Sequence, residues 1–101
     1  MAWRAAAQVG AAVPEHLDPS TKNKRELYIG NVPEGTGPDL GDFLAAAMVQ
    51  SGLAAKAGNP IVQTRISGRF AFVEFRTIQE TNNALNMNGI PFLGSALRIG
   101  G

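Results

Sequence analysis

The chain contains no cysteine. That excludes disulfides, thiolate metal sites and thiol catalysis, and it favours an intracellular setting. The single histidine, His16, has no carboxylate or thiol at ligand spacing, so it receives no role. No apolar run reaches the roughly 18–20 residues that span a bilayer. The alanine-rich start is broken by Arg4, Gln8 and Gly10, a poor match to a secretory signal. Charge of one sign is also scarce, with a formal net charge of only +1. A chain that held a polyanion mainly by neutralising it would carry more. Aromatic residues are few, one Trp, one Tyr and five Phe, so their placement is informative.

With 101 residues and a hydrophobic fraction of 45%, the chain suffices for one packed domain plus a tail. Residues 1–24 read as an N-terminal tail or linker. Met1 to Val13 has the composition of a short helix, and Pro14, Asp18-Pro19-Ser20-Thr21 and Lys22-Asn23-Lys24 are linker-like. Trp3 is expected to be disordered or weakly docked. Residues 25–101 read as the domain.

The domain begins with a strand over Glu26–Val32, in which Leu27 and Ile29 face one way and Tyr28 the other. Pro38 suits the first turn of a helix, and Asp39 and Asp42 favour its N-terminal dipole. Leu40, Phe43, Leu44, Ala47 and Met48 form one apolar stripe, and Gly52 ends the helix. Pro60–Ile66 is the second strand, with Val62 and Ile66 towards the core and Gln63 and Arg65 on the other face. Ser67-Gly68 makes a tight hairpin.

The third strand, Arg69–Phe75, alternates strictly and is usable on both faces. Ala71, Val73 and Phe75 share one side; Phe70, Phe72 and Glu74 share the other. Thr77 and Glu80 fit a capping box for a second helix. That helix runs to about Asn88 and buries Ile78, Thr81, Ala84, Leu85 and Met87. Gly89 stops it, Ile90–Gly94 is a turn-like link, and Ala96–Ile99 is the fourth strand. Phe43, Phe75 and Phe92 are expected in the core, with the edge of the sheet as the alternative for Phe92.

The resulting β-α-β-β-α-β order defines an α+β, ferredoxin-like split βαβ fold, with a four-stranded antiparallel sheet and two helices on one face. Nothing in that order covers Tyr28, Phe70 and Phe72. Three rings on an open sheet form a stacking platform for flat ligands, and nucleic-acid bases are the common flat ligand.

Two segments carry a family resemblance. Gly68-Arg69-Phe70-Ala71-Phe72-Val73-Glu74-Phe75 matches the last six positions of the octamer K/R-G-F/Y-G/A-F-V-x-F/Y. Leu27-Tyr28-Ile29-Gly30-Asn31-Val32 resembles the companion hexamer on the first strand. Together they resemble the RNA recognition motif (RRM) family over about residues 25–100. Pro33, Gly58-Asn59-Pro60, Arg76, Glu80-Thr81 and Gly89-Ile90 narrow the likeness. They resemble the first such domain of a pre-mRNA splicing factor that binds the polypyrimidine tract.

The resemblance implies a non-catalytic, nuclear, single-strand RNA-binding module without cofactor or metal. Uridine- or pyrimidine-rich RNA is its expected partner, along with other splicing factors and further RRMs of a longer protein, the domain itself being monomeric. Tyr28, Phe70 and Phe72 would stack bases. Asn31, Arg65 and Arg98 would lie near the RNA, with Arg25 and Lys24 at the start of the first strand.

Two departures point to weaker phosphate contacts with stacking retained: Gly68 and Arg69 stand in the reverse of the family order, and Glu26 precedes the hexamer. From sequence, Glu74 either accepts from a base or pairs with Arg65. The competing reading is an RRM-like protein-interaction module. It is disfavoured because Ile90–Gly94 lacks the Arg-x-Phe motif of that class. An acylphosphatase-like enzyme lacks its catalytic constellation here.

Overall fold

The computed structural model describes residues 14–101; the expected helix before Val13 and the placement of Trp3 lie outside them. A sheet forms from β1 (Glu26–Gly30), β2 (Ile61–Ser67), β3 (Phe70–Phe75) and a final strand, β6 (Arg98–Gly100). Its spatial order is β2-β3-β1-β6, antiparallel throughout. Helix α1 (Asp39–Gln50) connects β1 to β2, and α2 (Ile78–Ala84) follows β3.

The register explains the division of faces. Leu27 lies opposite Val73 and Ile29 opposite Ala71, so four small or branched side chains share the helix side. Leu40, Leu44 and Met48 of α1, with Ala84 of α2 and Met87 just after it, close over them and over Phe75 and Ile99. The α1 stripe is as expected, with Phe43 and Ala47 packed at its margin. Phe92 is buried, its ring centroid 4.9 Å from that of Phe43.

Several boundaries differ from the sequence expectations. The first strand ends at Gly30 because Asn31 takes a φ of 60°, although the Val32 N–H still donates to the Arg69 carbonyl at 2.9 Å. The second strand carries a bulge between Ile61 and Gln63, which turns Val62 out to solvent. A bulge places two residues against one, so the face alternation skips Val62. The core side of β2 is then Ile61, Thr64 and Ile66. Leu85 is exposed rather than buried, since α2 tightens at that point into a 3-10 turn over Leu85–Met87 and shifts the helical phase.

The link after α2 is a small hairpin of its own, β4 (Pro91–Phe92) with β5 (Ser95–Ala96). The last strand therefore begins at Arg98 instead of Ala96, with Leu97 buried between the two sheets.

The turn between β2 and β3 accounts for the reversed glycine and arginine. Ser67 pairs with Phe70, leaving Gly68 and Arg69 as a two-residue loop with Gly68 at φ 60°. A positive φ at the first loop position is what a type II′ hairpin requires, and glycine meets it without strain. Arg69 consequently sits in the turn.

Glu80 is fully buried and joins three segments. Its carboxylate accepts from the Arg76 guanidinium through both oxygens, each at 2.8 Å, and from the Ala55 backbone N–H at 2.8 Å. The Thr77 hydroxyl also donates to it, while the Glu80 N–H donates to Thr77 Oγ1 in the expected cap. Arg76 in turn donates to the Lys56 and Ala57 carbonyls, fastening the loop before β2.

The Arg76 guanidinium is the chief reason the Glu80 carboxyl is held at about 2, below the ordinary 4.5, with Ala55 and Thr77 adding to it against the cost of burial. A lowered folded-state value stabilises the fold fully above the unfolded value and is lost as pH falls through the folded one. We expect Glu80→Ala to lower stability by about 3 kcal/mol in urea unfolding. In wild type, stability should fall as pH drops from about 4.5 towards 2; in the variant this component of the fall should be missing.

Candidate nucleic-acid interface

The face away from the helices is laid out in cross-strand rows. Tyr28 on β1 lies opposite Phe72 on β3, and Phe72 lies opposite Arg65 on β2. Phe70 stands two residues before Phe72 on the same face. The three rings are in mutual contact, with centroids 6.0 Å apart for Tyr28–Phe70 and Tyr28–Phe72 and 5.8 Å for Phe70–Phe72. All three remain open, Tyr28 at 43% exposure and the two phenylalanines at 37% each.

Such exposure is unusual for clustered rings, whose burial would stabilise the fold by roughly 1.5–3 kcal/mol each. Gly30 gives Tyr28 its room: a Cβ there would lie 2.8 Å from the tyrosine ring and its hydroxyl. The ring therefore leans across the glycine and stacks at 27° to Phe70.

The next row is charged. Glu26 lies opposite Glu74, and Gln63 lies beside Glu74. Like charges directly across a sheet repel, and three cations compensate. Arg25 Nη1 donates to Glu74 Oε2 at 2.9 Å, Lys22 Nζ reaches Glu74 Oε1 at 3.3 Å and Glu26 at 3.9 Å, and Arg65 pairs with Glu26. The Glu74 carboxyl is accordingly held below its usual range, chiefly by the Arg25 hydrogen bond, with Lys22 assisting against desolvation. The sequence left Glu74 between a base and Arg65; the structure gives it Arg25 and Lys22.

The arginines divide sharply. Arg65 is exposed, and its guanidinium carbon stands 5.6 Å from the Phe72 ring centroid, within cation–π range. Arg98 is exposed on β6 and lines a shallow hollow of about 250 Å³ with Tyr28, Asn88, Ile99 and Gly100.

Arg25 corrects an expectation. Only 1% of its side chain is exposed, and it donates to Thr21 Oγ1, Glu74 and the Phe75 carbonyl. It is a clamp between the N-terminal segment and the end of β3, with no face free for a phosphate. Lys24, by contrast, is exposed on the 3-10 segment Pro19–Arg25.

That segment, linker-like in composition, is docked. Arg25 and Lys22 hold it to β3, Asp18 caps it by accepting from the Ser20 N–H, and in the turn before it Glu15 Oε1 accepts from the Ile78 N–H at the start of α2. Asn31 is exposed but its amide donates to the Ala96 carbonyl at 3.0 Å, so it ties the turn after β1 to β5.

Sequence reasoning missed Asn88, whose Oδ1 accepts from the Ile99 N–H at the sheet edge. Its only sequence signal was proximity to the helix stop. A larger hollow of about 440 Å³, lined by Ser51, Leu53, Asn86, Met87, Asn88, Gly89 and Ile90, contains none of the expected site residues. Among the described residues no helix is long and apolar enough to cross a membrane.

This architecture, with its aromatic open face, is that of the RNA recognition motif. The third RRM of Mip6 superposes with a TM-score of 0.62 at 18% identity, over 78% of this chain and 94% of that one. The Rna15 RRM with bound GU RNA superposes with a TM-score of 0.53 at 23% identity, over 75% and 80%.

The fold is that of an RRM, and by sequence the chain is similar to part of the large subunit of the splicing factor U2af. One such protein from Arabidopsis thaliana is 30% identical over 84 residues, which is 79% of this chain but 15% of the relative. The chain thus spans about 15% of the length of the curated relatives it matches first. No family model matches the chain.

The division between arginines is measurable. Arg25→Ala should destabilise the fold by about 3 kcal/mol in urea unfolding, since it strands the Phe75 carbonyl and weakens the hold on Glu74. Lys24→Ala should stay within about 0.5 kcal/mol of wild type. Equal, small effects would show that the clamp contributes little.

Proposed function

We propose that this domain binds single-stranded, pyrimidine-rich RNA as part of a nuclear pre-mRNA splicing factor. The observation that carries the reading is the cluster of three exposed rings on the uncovered sheet face. Aromatic stacking is tolerant of sequence and contributes about 1–3 kcal/mol per base. Preference for uridine would come from size and from hydrogen-bonding groups around the platform. Its O2, N3–H and O4 suit backbone groups at the edge of β6, between Arg98 and Gly101.

Similarity to the large subunits of the splicing factor U2af supports the splicing assignment and the nuclear setting. Further RRMs in a longer chain would raise affinity through effective concentration, with this domain binding as a monomer. In this reading residues 25–101 are the RNA-binding unit and residues 1–24 its N-terminal extension. Lys24, Arg65 and Arg98 are the cations available to phosphate. Arg25 supports them indirectly by fixing the segment that carries Lys22 and Lys24.

The test is titration of the purified domain with uridine-rich, adenosine-rich and duplex RNA, followed by fluorescence anisotropy. Uridine-rich single strands should bind tightest and the duplex least. Tyr28→Ala, Phe70→Ala and Phe72→Ala should each weaken binding about fivefold to 150-fold while remaining folded at the assay temperature, as checked by thermal melting. Equal affinity for all three RNAs, or unchanged binding by the ring variants, would overturn the proposal.

A further inference from the structure

The charged row beside the platform contains more than structural ion pairs. Arg65 makes two contacts at once: its guanidinium pairs with Glu26 across the sheet and stands at 5.6 Å from the Phe72 centroid. Phe72 is one of the three stacking rings, and Arg65 is the exposed arginine directly opposite it in register. A base stacking on Phe72 meets the guanidinium. A phosphate beside that base would compete with the Glu26 carboxylate for the same N–H groups. Carboxylate and phosphate oxygens are interchangeable acceptors for an arginine fork.

We infer that Glu26 acts as an internal stand-in for an RNA phosphate, holding Arg65 against Phe72 until single-stranded RNA displaces it. This rests on the RNA-binding reading above and names a positioning residue for it. The surroundings make such an exchange feasible. Lys22 Nζ already lies 3.9 Å from Glu26, so the carboxylate keeps a cation after Arg65 leaves. Glu74 is secured independently by Arg25 at 2.9 Å and Lys22 at 3.3 Å, so its side of the row need not rearrange. The Arg65–Glu26 pair is also solvent-accessible, with side-chain exposures of 53% and 24%. Pairs of that kind are weak enough to exchange. The consequence is a platform whose third position opens at a cost set by Glu26, and a cation that contributes to phosphate binding only after exchange.

A double-mutant cycle tests it, using a uridine-rich oligonucleotide with wild type, Glu26→Gln, Arg65→Ala and the double variant, each checked for an unchanged melting temperature. Where glutamine disturbs folding, Glu26→Thr takes its place as a strand-compatible neutral residue. Glu26→Gln should tighten binding about threefold to fivefold. It should leave the slope of log affinity against log salt close to that of wild type, because Arg65 reaches the phosphate in both complexes. In the Arg65→Ala background the same change should leave affinity unchanged.

A gain of equal size in both backgrounds would overturn the inference, because it would reflect removal of a negative charge and nothing specific to Arg65. So would an unchanged affinity for Glu26→Gln while wild type binds RNA. Failure of wild type itself to bind any single-stranded RNA is a different result; it removes the functional proposal and this inference together.

Discussion

The pairing of β1 with β3 is the constraint on which the rest depends. Leu27 with Val73, Tyr28 with Phe72 and Ile29 with Ala71 fix which residues face the helices and which face away. Strand side chains alternate with period two, so a slip of one residue would move every side chain to the opposite face. It would bury Tyr28 and Phe72 under α1 and α2 and expose Leu27, Ile29 and Val73. The apolar stripe of α1 holds the register by requiring small and branched partners on the inner face. Three rings on the outer face are thus a consequence of core packing on the inner one.

The second feature is a compensated charge row beside those rings. Glu26 and Glu74 stand opposite each other and would repel if unaccompanied. Arg25, Lys22 and Arg65 convert them into a bound cluster. Two of the three cations come from the segment before β1, so docking of that segment and the electrostatics of the open face are one arrangement. With a net charge of only +1, the domain has little long-range attraction for a polyanion. Local contacts at the platform must therefore carry recognition.

The element order, the α1 stripe, the capping box and the open aromatic face were legible in the sequence because each has a local signature. Period two in Phe70–Phe75 and period 3.6 in Leu40–Met48 need no tertiary information. What escaped depends on partners distant in sequence. The bulge at Ile61/Gln63 reverses Val62, and nothing local announces it. The hairpin Pro91–Ala96 is two residues per strand and has no alternation to detect. Arg25 looked like a free cation because its partners, Glu74 and the Phe75 carbonyl, lie 49 and 50 residues away. The reversed Gly68-Arg69 was visible as an anomaly, but its reason, a positive φ at the first turn position, is a backbone fact.

The most direct measurement of the central claim is an NMR titration of the isotope-labelled domain with a short uridine-rich RNA, observing the aromatic ring resonances. The account predicts that the rings of Tyr28, Phe70 and Phe72 move together and early, while the core rings of Phe75 and Phe92 stay in place. Shifts confined to the helix face or the Ser51–Ile90 hollow, with the three exposed rings unmoved at millimolar RNA, would contradict it and make the open sheet a surface for something other than RNA.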